Sequence, residues 1–188
     1  PRTFSSAASD VYKRQFHNLF VKLKLIQGVS NRGDTLIDYA VGMAGDLPKW
    51  IRSKLKFVFG VDISKDNIMN QLSGACARYL KANKKYHKIP NALFLHGDSG
   101  KNIRNGDAYY TEKDKQISKA VFGSGAKDPN IIGKGVYKNY GLAESGFHIS
   151  SCQFALHYFF ENEVSLHSFL RNLSECTKVN GKFIGTCY

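Results

Sequence analysis

The chain has 188 residues, one domain by size, and its 43% apolar and 22% charged fractions are ordinary for a globular protein with a real core. No apolar run approaches the roughly 20 residues that span a membrane, and no basic–apolar–small leader pattern opens the chain. Lys plus Arg is 27 against 15 Asp plus Glu, a net charge of +12, which favours a polyanionic partner, most commonly nucleic acid, while a generally basic solvated surface accounts for the charge equally well.

Residues 1–15 (PRTFSSAASDVYKRQ) show no clear periodicity and are expected to be a disordered tail or sequence scar. Phe16, Phe20, Leu23 and Ile26 then form an apolar helical stripe closed by Gly28. Five runs of strand length follow: Thr35–Val41, Phe57–Ile63, Ala92–His96, Phe147–Phe154 and Lys182–Cys187. Helical patterns separate most of them. Leu47–Lys54 follows the first run, with Asp46 at the cap position and Pro48 in the first turn. Ser64 is placed to cap a helix with the face Ile68, Leu72, Ala75 and Tyr79. Val164–Cys176 carries Leu166, Phe169, Leu170 and Leu173 on one face. The stretch 99–146 breaks the rhythm with glycines and charges, and is expected to be a long insert with a short helix around Glu112–Val121. Such an alternation predicts an α/β fold with a doubly wound, mostly parallel sheet. Cys76, Cys152, Cys176 and Cys187 are scattered, which argues against a disulfide framework or a zinc site and for reduced thiols in an intracellular protein.

Ligands of such sheets bind beyond the carboxyl ends of the strands, so the residues after each run hold the candidate site. The first end is a small-residue turn, Asp38 to Asp46, passing Ala40 and Gly42, that lets a ligand approach the backbone and then meets a helix N-terminus. About 20 residues on, Asp62 ends the second run, where a carboxylate can accept both hydroxyls of a ribose; the alternative is a helix-capping Asp. Asp98 follows the third run and could accept from an adenine amino group, or simply serve a turn. After the fourth run, Ser151 to Glu161 (SCQFALHYFFE) crowds polar and aromatic side chains at the sheet mouth. His157, Tyr158 and the Phe pair there could stack a base, or pack as an aromatic helix.

Three of these motifs resemble the eukaryotic and viral mRNA cap guanine-N7 methyltransferases. Phe16-His17-Asn18 with Val21-Lys22 and Leu25-Ile26 resembles the family's N-terminal helix. Asp38 to Trp50, ending Gly45-Asp46-Leu47-x-Lys49-Trp50, resembles its cofactor loop. Ser151-Cys152-Gln153-Phe154-x-x-His157-Tyr158-x-Phe160-Glu161 is the most specific motif. The resemblance runs from about Phe16 to Tyr188, and the insert looks most like the capping enzymes of large DNA viruses.

The resemblance implies a Rossmann-like class I methyltransferase fold that uses S-adenosyl-L-methionine, with no metal. Lys22 and Asp46 would hold the methionine end, Ala40 and Gly42 the loop, Asp62 the ribose and Asp98 the adenine. Gln153 and Tyr158 would lie near the sulfonium. Asn18, His157 and Tyr158 would face the cap guanine, His157 and Tyr158 aligning it without any catalytic acid or base. Implied partners are the capped 5′ end of mRNA and fused or bound triphosphatase and guanylyltransferase modules. The implied setting is the host nucleus or a cytoplasmic viral factory.

The family's Gly-Cys-Gly-Lys-Gly-Gly-Asp appears here as Ala40-Val41-Gly42-Met43-Ala44-Gly45-Asp46, which exchanges two glycines for alanine and removes one loop cation. The expected domain is 16–188, C-terminally incomplete after its fifth strand. Two rival readings stand beside methyl transfer. A nicotinamide-dependent oxidoreductase fits the glycine turn and Asp62, but not the aromatic cluster or the charge. A non-catalytic RNA-binding remnant fits the altered loop.

Overall fold

The computed structural model describes residues 11–13 and 15–187. Five strands form one sheet: β1 (Thr35–Asp38), β2 (Phe57–Asp62), β3 (Asn91–His96), β4 (Phe147–Gln153) and β5 (Thr177–Thr186). Their order is β3-β2-β1-β4-β5 and every pairing is parallel. The chain builds outward from β1 to β3, then returns to lay β4 on the other side of β1. The carboxyl ends of β1 and β4 therefore flank the switch point, where a parallel sheet opens a crevice.

The strands are apolar on both faces because both are covered. In β1, Leu36 joins Val58, Ile149, Ile184 and Trp50 on one side, while Ile37 joins Phe57, Phe59 and Phe147 on the other. This is the period-2 alternation of a strand, with both phases filled by hydrophobics. Each such fully buried side chain contributes roughly 1.5–3 kcal/mol of transfer free energy.

The N-terminal segment enters as a π-helical turn, His17–Val21, running into α1 (Lys22–Val29). Of the predicted stripe only Ile26 is fully buried; Phe16 and Phe20 are exposed and stack on each other at 5.4 Å. The π turn adds a residue to the helical repeat, so positions before it lose phase with the face of α1. Within 1–15, residues 11–13 and 15 are helical, and the rest of that stretch lies outside the described residues.

Helix α2 (Leu47–Arg52) has proline in its first turn as expected. Asp46 occupies the cap position but its side chain makes no capping bond, because two lysines claim it. The single helix expected after Ser64 is two helices, α3 (Lys65–Met69) and α4 (Ala75–Lys85). Ser64 Oγ accepts from the Asn67 N–H and caps α3. The break follows from Asn70, whose side-chain oxygen accepts from the N–H groups of Leu72 and Ser73 and so competes with the helix ladder. Leu72, placed on the buried face by periodicity, is thereby turned outward and is 80% exposed.

The insert is folded: α5 (Glu112–Val121), α6 (Pro129–Ile132) and α7 (Lys134–Tyr137). The first of these has the bounds the sequence predicts. Ile103, Val121, Ile132, Val136 and Ala143 bury themselves in the same cluster as Phe59 and Phe147, so the insert covers one face of the sheet. Its entrance is fixed by Asn172. The buried amide donates to the carbonyls of Ser99 and Lys101 and accepts from the Ile103 N–H.

After β4 come a 3₁₀ turn (Leu156–Phe160) and α8 (Glu163–Cys176), capped by Asn162. Phe169 of α8 is buried and stacks on Phe159 at 4.0 Å, whereas Leu170 is half exposed and leaves the predicted face. α8 passes directly into β5, whose regular ladder against β4 begins at Lys182; residues 178–181 bulge out, with Asn180 at φ +65°. No helix among the described residues is long and apolar enough to cross a membrane.

Candidate functional site

The turn after β1 carries the site. Gly42 sits at φ +54° and Ala44 at φ +55°, the left-handed region that L-residues avoid at a cost of roughly 1–2 kcal/mol. Ala44 keeps that conformation although it is not glycine, because its methyl is buried against the α2 side of the core. A Cβ built on Gly42 or Gly45 would meet nothing within 4 Å, so the turn presents an open face.

Asp62, at the end of β2, holds this turn from beneath. Its Oδ2 accepts from the Gly42 N–H at 2.7 Å, and its Oδ1 from the Ser64 N–H at 2.9 Å and the Asn67 amide at 3.0 Å. A carboxylate has about four lone-pair directions. Three are taken, which leaves room for one further donor rather than the two expected.

Asp46 is clamped. Lys49 Nζ donates to Oδ1 at 2.8 Å and Lys22 Nζ to Oδ2 at 3.3 Å, all three side chains about nine-tenths buried. The Lys22 ammonium also lies 4.8 Å from the centre of the Phe154 ring, within cation–π range. Asp38 lies behind this pair. Burial, and secondarily the Asp46 charge, raise its carboxyl to about 7, opposed by the Ala40 N–H and the Lys22 charge.

At the end of β3, Asp98 accepts from the Gly100 N–H at 2.8 Å and faces Lys101 at 3.8 Å. At the end of β4, Gln153 is buried, donating to Ser151 Oγ and accepting from Thr186 Oγ1. Phe154 then takes φ +59°, which turns the chain off the strand. Beyond it His157 and Tyr158 place their rings 4.2 Å apart, and Tyr158 is 68% exposed. The His17 ring lies edge-on to Phe154 at 6.0 Å. This brings the π turn holding exposed Asn18, one turn before Lys22, to the end of β4.

The first four strand ends thus carry the predicted Ala40, Gly42, Asp46, Asp62, Asp98, Gln153, His157 and Tyr158, with Lys22 reaching in from α1. Three participants had no role assigned by sequence reasoning. Lys49 lies one helical turn after Asp46, a spacing that puts the two on one face. Asn67 lies three residues after the cap Ser64. Phe154 stands inside the motif after β4, but neither its left-handed backbone nor its ring contacts with Lys22 and His17 could be read from the motif.

The site can do three things chemically. It can grip a zwitterion with the lysine–aspartate cluster, accept one hydroxyl on Asp62, and offer an aromatic ledge to a planar ring.

The signature of the mRNA (guanine-N7)-methyltransferase domain matches residues 5–188. The mRNA cap guanine-N7 methyltransferase 1 of Oryza sativa is 27% identical over 169 residues, 90% of this chain and 37% of its own length. A probable mRNA-capping enzyme of Acanthamoeba polyphaga mimivirus is 26% identical over 175 residues, 93% of this chain and 14% of its own length. The chain thus spans well under half of these relatives, and viral and plant proteins resemble it equally. Among solved structures, an rRNA methylase from Streptococcus thermophilus superimposes with a TM-score of 0.50 at 12% identity, covering 91% of this chain and 71% of that one. That likeness shows a methyltransferase-type fold.

Proposed function

From the chain's membership of the mRNA (guanine-N7)-methyltransferase domain family, we propose that this domain transfers a methyl group from S-adenosyl-L-methionine to guanine N7 of the mRNA cap. The observation that carries the proposal is the arrangement at the strand ends: an open turn braced by Asp62, beside an Asp46–Lys22–Lys49 cluster, facing an aromatic ledge.

The residues present fit the cofactor. A Cβ on Gly42 or Gly45 would meet nothing within 4 Å, so a ligand can approach the backbone of the turn there, and Asp62 keeps one acceptor direction for a ribose hydroxyl. Lys22 and Asp46 offer opposite charges to the amino-acid end. The cation absent at Met43 is offset by Lys49, which supplies a second ammonium at Asp46. Asp98 faces the adenine edge, and Gln153 and Tyr158 close the side toward β4. When bound, the cofactor supplies an electrophilic methyl group.

The rest of the chemistry is positioning. Guanine N7 presents an in-plane lone pair and carries no proton, so no side chain must act as a base. Asn18, His157 and Tyr158 hold the guanine edge and face, and orienting two reactants in this way can supply roughly 7–11 kcal/mol. His157 is a positioning residue in this scheme.

Neither rival reading gains support from the family match. The same proposal places the protein inside the cell, in the host nucleus or a cytoplasmic viral factory, acting with fused or bound triphosphatase and guanylyltransferase modules. The small share of the mimivirus capping enzyme that the chain covers supports that last element. The test is transfer of labelled methyl from S-adenosylmethionine to unmethylated capped RNA, with nuclease digestion to locate the product at guanine N7. Transfer to uncapped RNA at the same rate, or RNA binding with no cofactor binding, would overturn the reading.

A further inference from the structure

The strand ends used above lie at one pole of the sheet. At the opposite pole, the loops that enter β1, β2 and β3 enclose a concavity of about 570 Å³. Its floor is apolar, formed by Ile51, Leu55, Ile89 and Pro90, and its rim carries Arg32, Lys54, Lys56 and Lys88. No carboxylate lines it. Asp34, the nearest in sequence, is turned away to the Asn31 N–H at 2.8 Å and to His148 at 3.6 Å.

The walls are fixed by backbone bonds between the loops. Gly33 N–H donates to Lys54 O, Lys56 N–H to Asp34 O and Asn91 N–H to Lys56 O. Tyr79 Oη donates to Pro90 O and ties the third loop to α4. The volume lies within the range of small-ligand pockets, about 300–1,000 Å³. Apolar floor and cationic rim together match a nucleotide, whose base has a flat apolar face and whose phosphate is anionic.

The pocket also has an approach. Helix α4 runs back from the site pole to the loop pole, as the helix of a β-α-β unit must, and spans about 16 Å at 1.5 Å per residue. Arg78, Lys81, Lys84 and Lys85 mark its length, and Lys88 follows at the pocket rim. Cations thus lead from the strand-end pole, at the β2–β3 side of the sheet, to this pocket.

We propose that this pocket is a contact for single-stranded RNA: a nucleotide downstream of the cap seats its base on Ile51, Leu55, Ile89 and Pro90 and its phosphates on Arg32, Lys54, Lys56 and Lys88. The inference rests on the reading of the substrate as RNA. Its test uses uncapped RNA, so that it is independent of methyl transfer.

The variant is Arg32→Glu with Lys88→Glu, both exposed loop residues, compared with a control of equal charge change in the insert, Lys127→Glu with Lys134→Glu. Binding of a fluorescein-labelled single-stranded RNA is followed by anisotropy across a salt series. The pocket variant should lose about tenfold or more in affinity, and its log–log salt slope should shrink by about 1.4, at about 0.7 per phosphate contact on a single strand. The control should bind as the wild type does. Calorimetry with S-adenosylhomocysteine should be unchanged in the pocket variant. That result shows an intact fold, and loss of cofactor binding by the wild type would sink the proposed function while leaving this pocket standing. Equal weakening by both variants would mean a diffuse charge effect and overturn the proposal. So would displacement of RNA by inorganic phosphate or AMP at the same affinity as an oligonucleotide, which marks a free-phosphate site, or by polyglutamate, which marks an acidic protein partner.

Discussion

Asp62→Ala separates the two jobs assigned to one carboxylate. In the folded protein it accepts three hydrogen bonds, from Gly42, Ser64 and Asn67. A hydrogen bond to a charged group contributes about 1.5–3 kcal/mol, so three independent bonds would sum to roughly 4.5–9 kcal/mol. The loss should be smaller. Ser64 and Asn67 are only partly buried, so water can replace the carboxylate there, and the main uncompensated donor is the Gly42 N–H. A stability loss of about 2–4 kcal/mol is expected, read from urea unfolding. The remaining acceptor direction, assigned to a ribose hydroxyl, adds about 1.5–3 kcal/mol of cofactor binding, which is about 10- to 150-fold in Kd by calorimetry with S-adenosylhomocysteine. Asn67→Ala provides the contrast, since it removes one brace and leaves the carboxylate. It should cost about 1 kcal/mol of stability and leave cofactor affinity within about threefold. Wild-type affinity in Asp62→Ala would refute the ribose assignment and reduce Asp62 to a brace for the turn.

The remaining predictions concern its neighbours. Asp38 is raised to about 7 in the folded state, so the folded protein holds its proton where the unfolded chain has lost it, and its contribution to stability falls as pH rises from about 4 through 7. Asp38→Asn should therefore gain on wild type by on the order of 2–3 kcal/mol between pH 5 and pH 8 in parallel denaturation curves, and a gap that does not change with pH would refute the assignment. Lys49→Met leaves buried Asp46 with Lys22 alone and should cost about 2–4 kcal/mol, below the cost of a fully orphaned charge; an unchanged denaturation midpoint would mean that the pair contributes nothing. Tyr158→Ala removes an exposed ring and should shift stability by no more than about 0.5 kcal/mol while weakening cap-dinucleotide binding by about 1–3 kcal/mol, so equal cap affinity would remove Tyr158 from the substrate ledge.

The sheet was legible because its strands are continuous apolar runs between turn residues, a pattern set by local composition. The insert's first helix, Glu112–Val121, was legible for a similar reason: Thr111 accepts from the Asp114 N–H and caps it, and Asp114 adds charge to its first turn. Leu72 and Leu170 misled because periodicity reports which residues could share a face. It does not report that Asn70 diverts the backbone, or that the side of α8 carrying Leu170 is left half exposed among the described residues. The paired part of β5 was visible from Lys182 on, whereas the polar residues before it bulge from the ladder and carry no strand pattern.

The candidate site was legible as positions and not as partnerships. Its carboxylates stand after strands, which topology alone predicts. The Lys22–Asp46–Lys49 clamp joins residues from two helices, and the φ +59° of Phe154 is imposed by the meeting of β4 with β5, so both are products of packing.

The anchoring of the insert by Asn172 bears on how this domain can change over evolutionary time. The entrance is pinned to α8 at Ser99, Lys101 and Ile103, and the exit at Gly141 and Ala143 is stitched to the end of α5 by backbone bonds to Ala120 and Val121. The segment between these stitches, 124–140, is therefore a closed excursion whose length is decoupled from the strand ends. Doubling such a loop costs only about 0.6 kcal/mol of closure entropy. Insertions and deletions among relatives should accumulate in its exposed part before α6, around 124–127, while α6 and α7, which bury Ile132 and Val136, and the entrance keep their residue count.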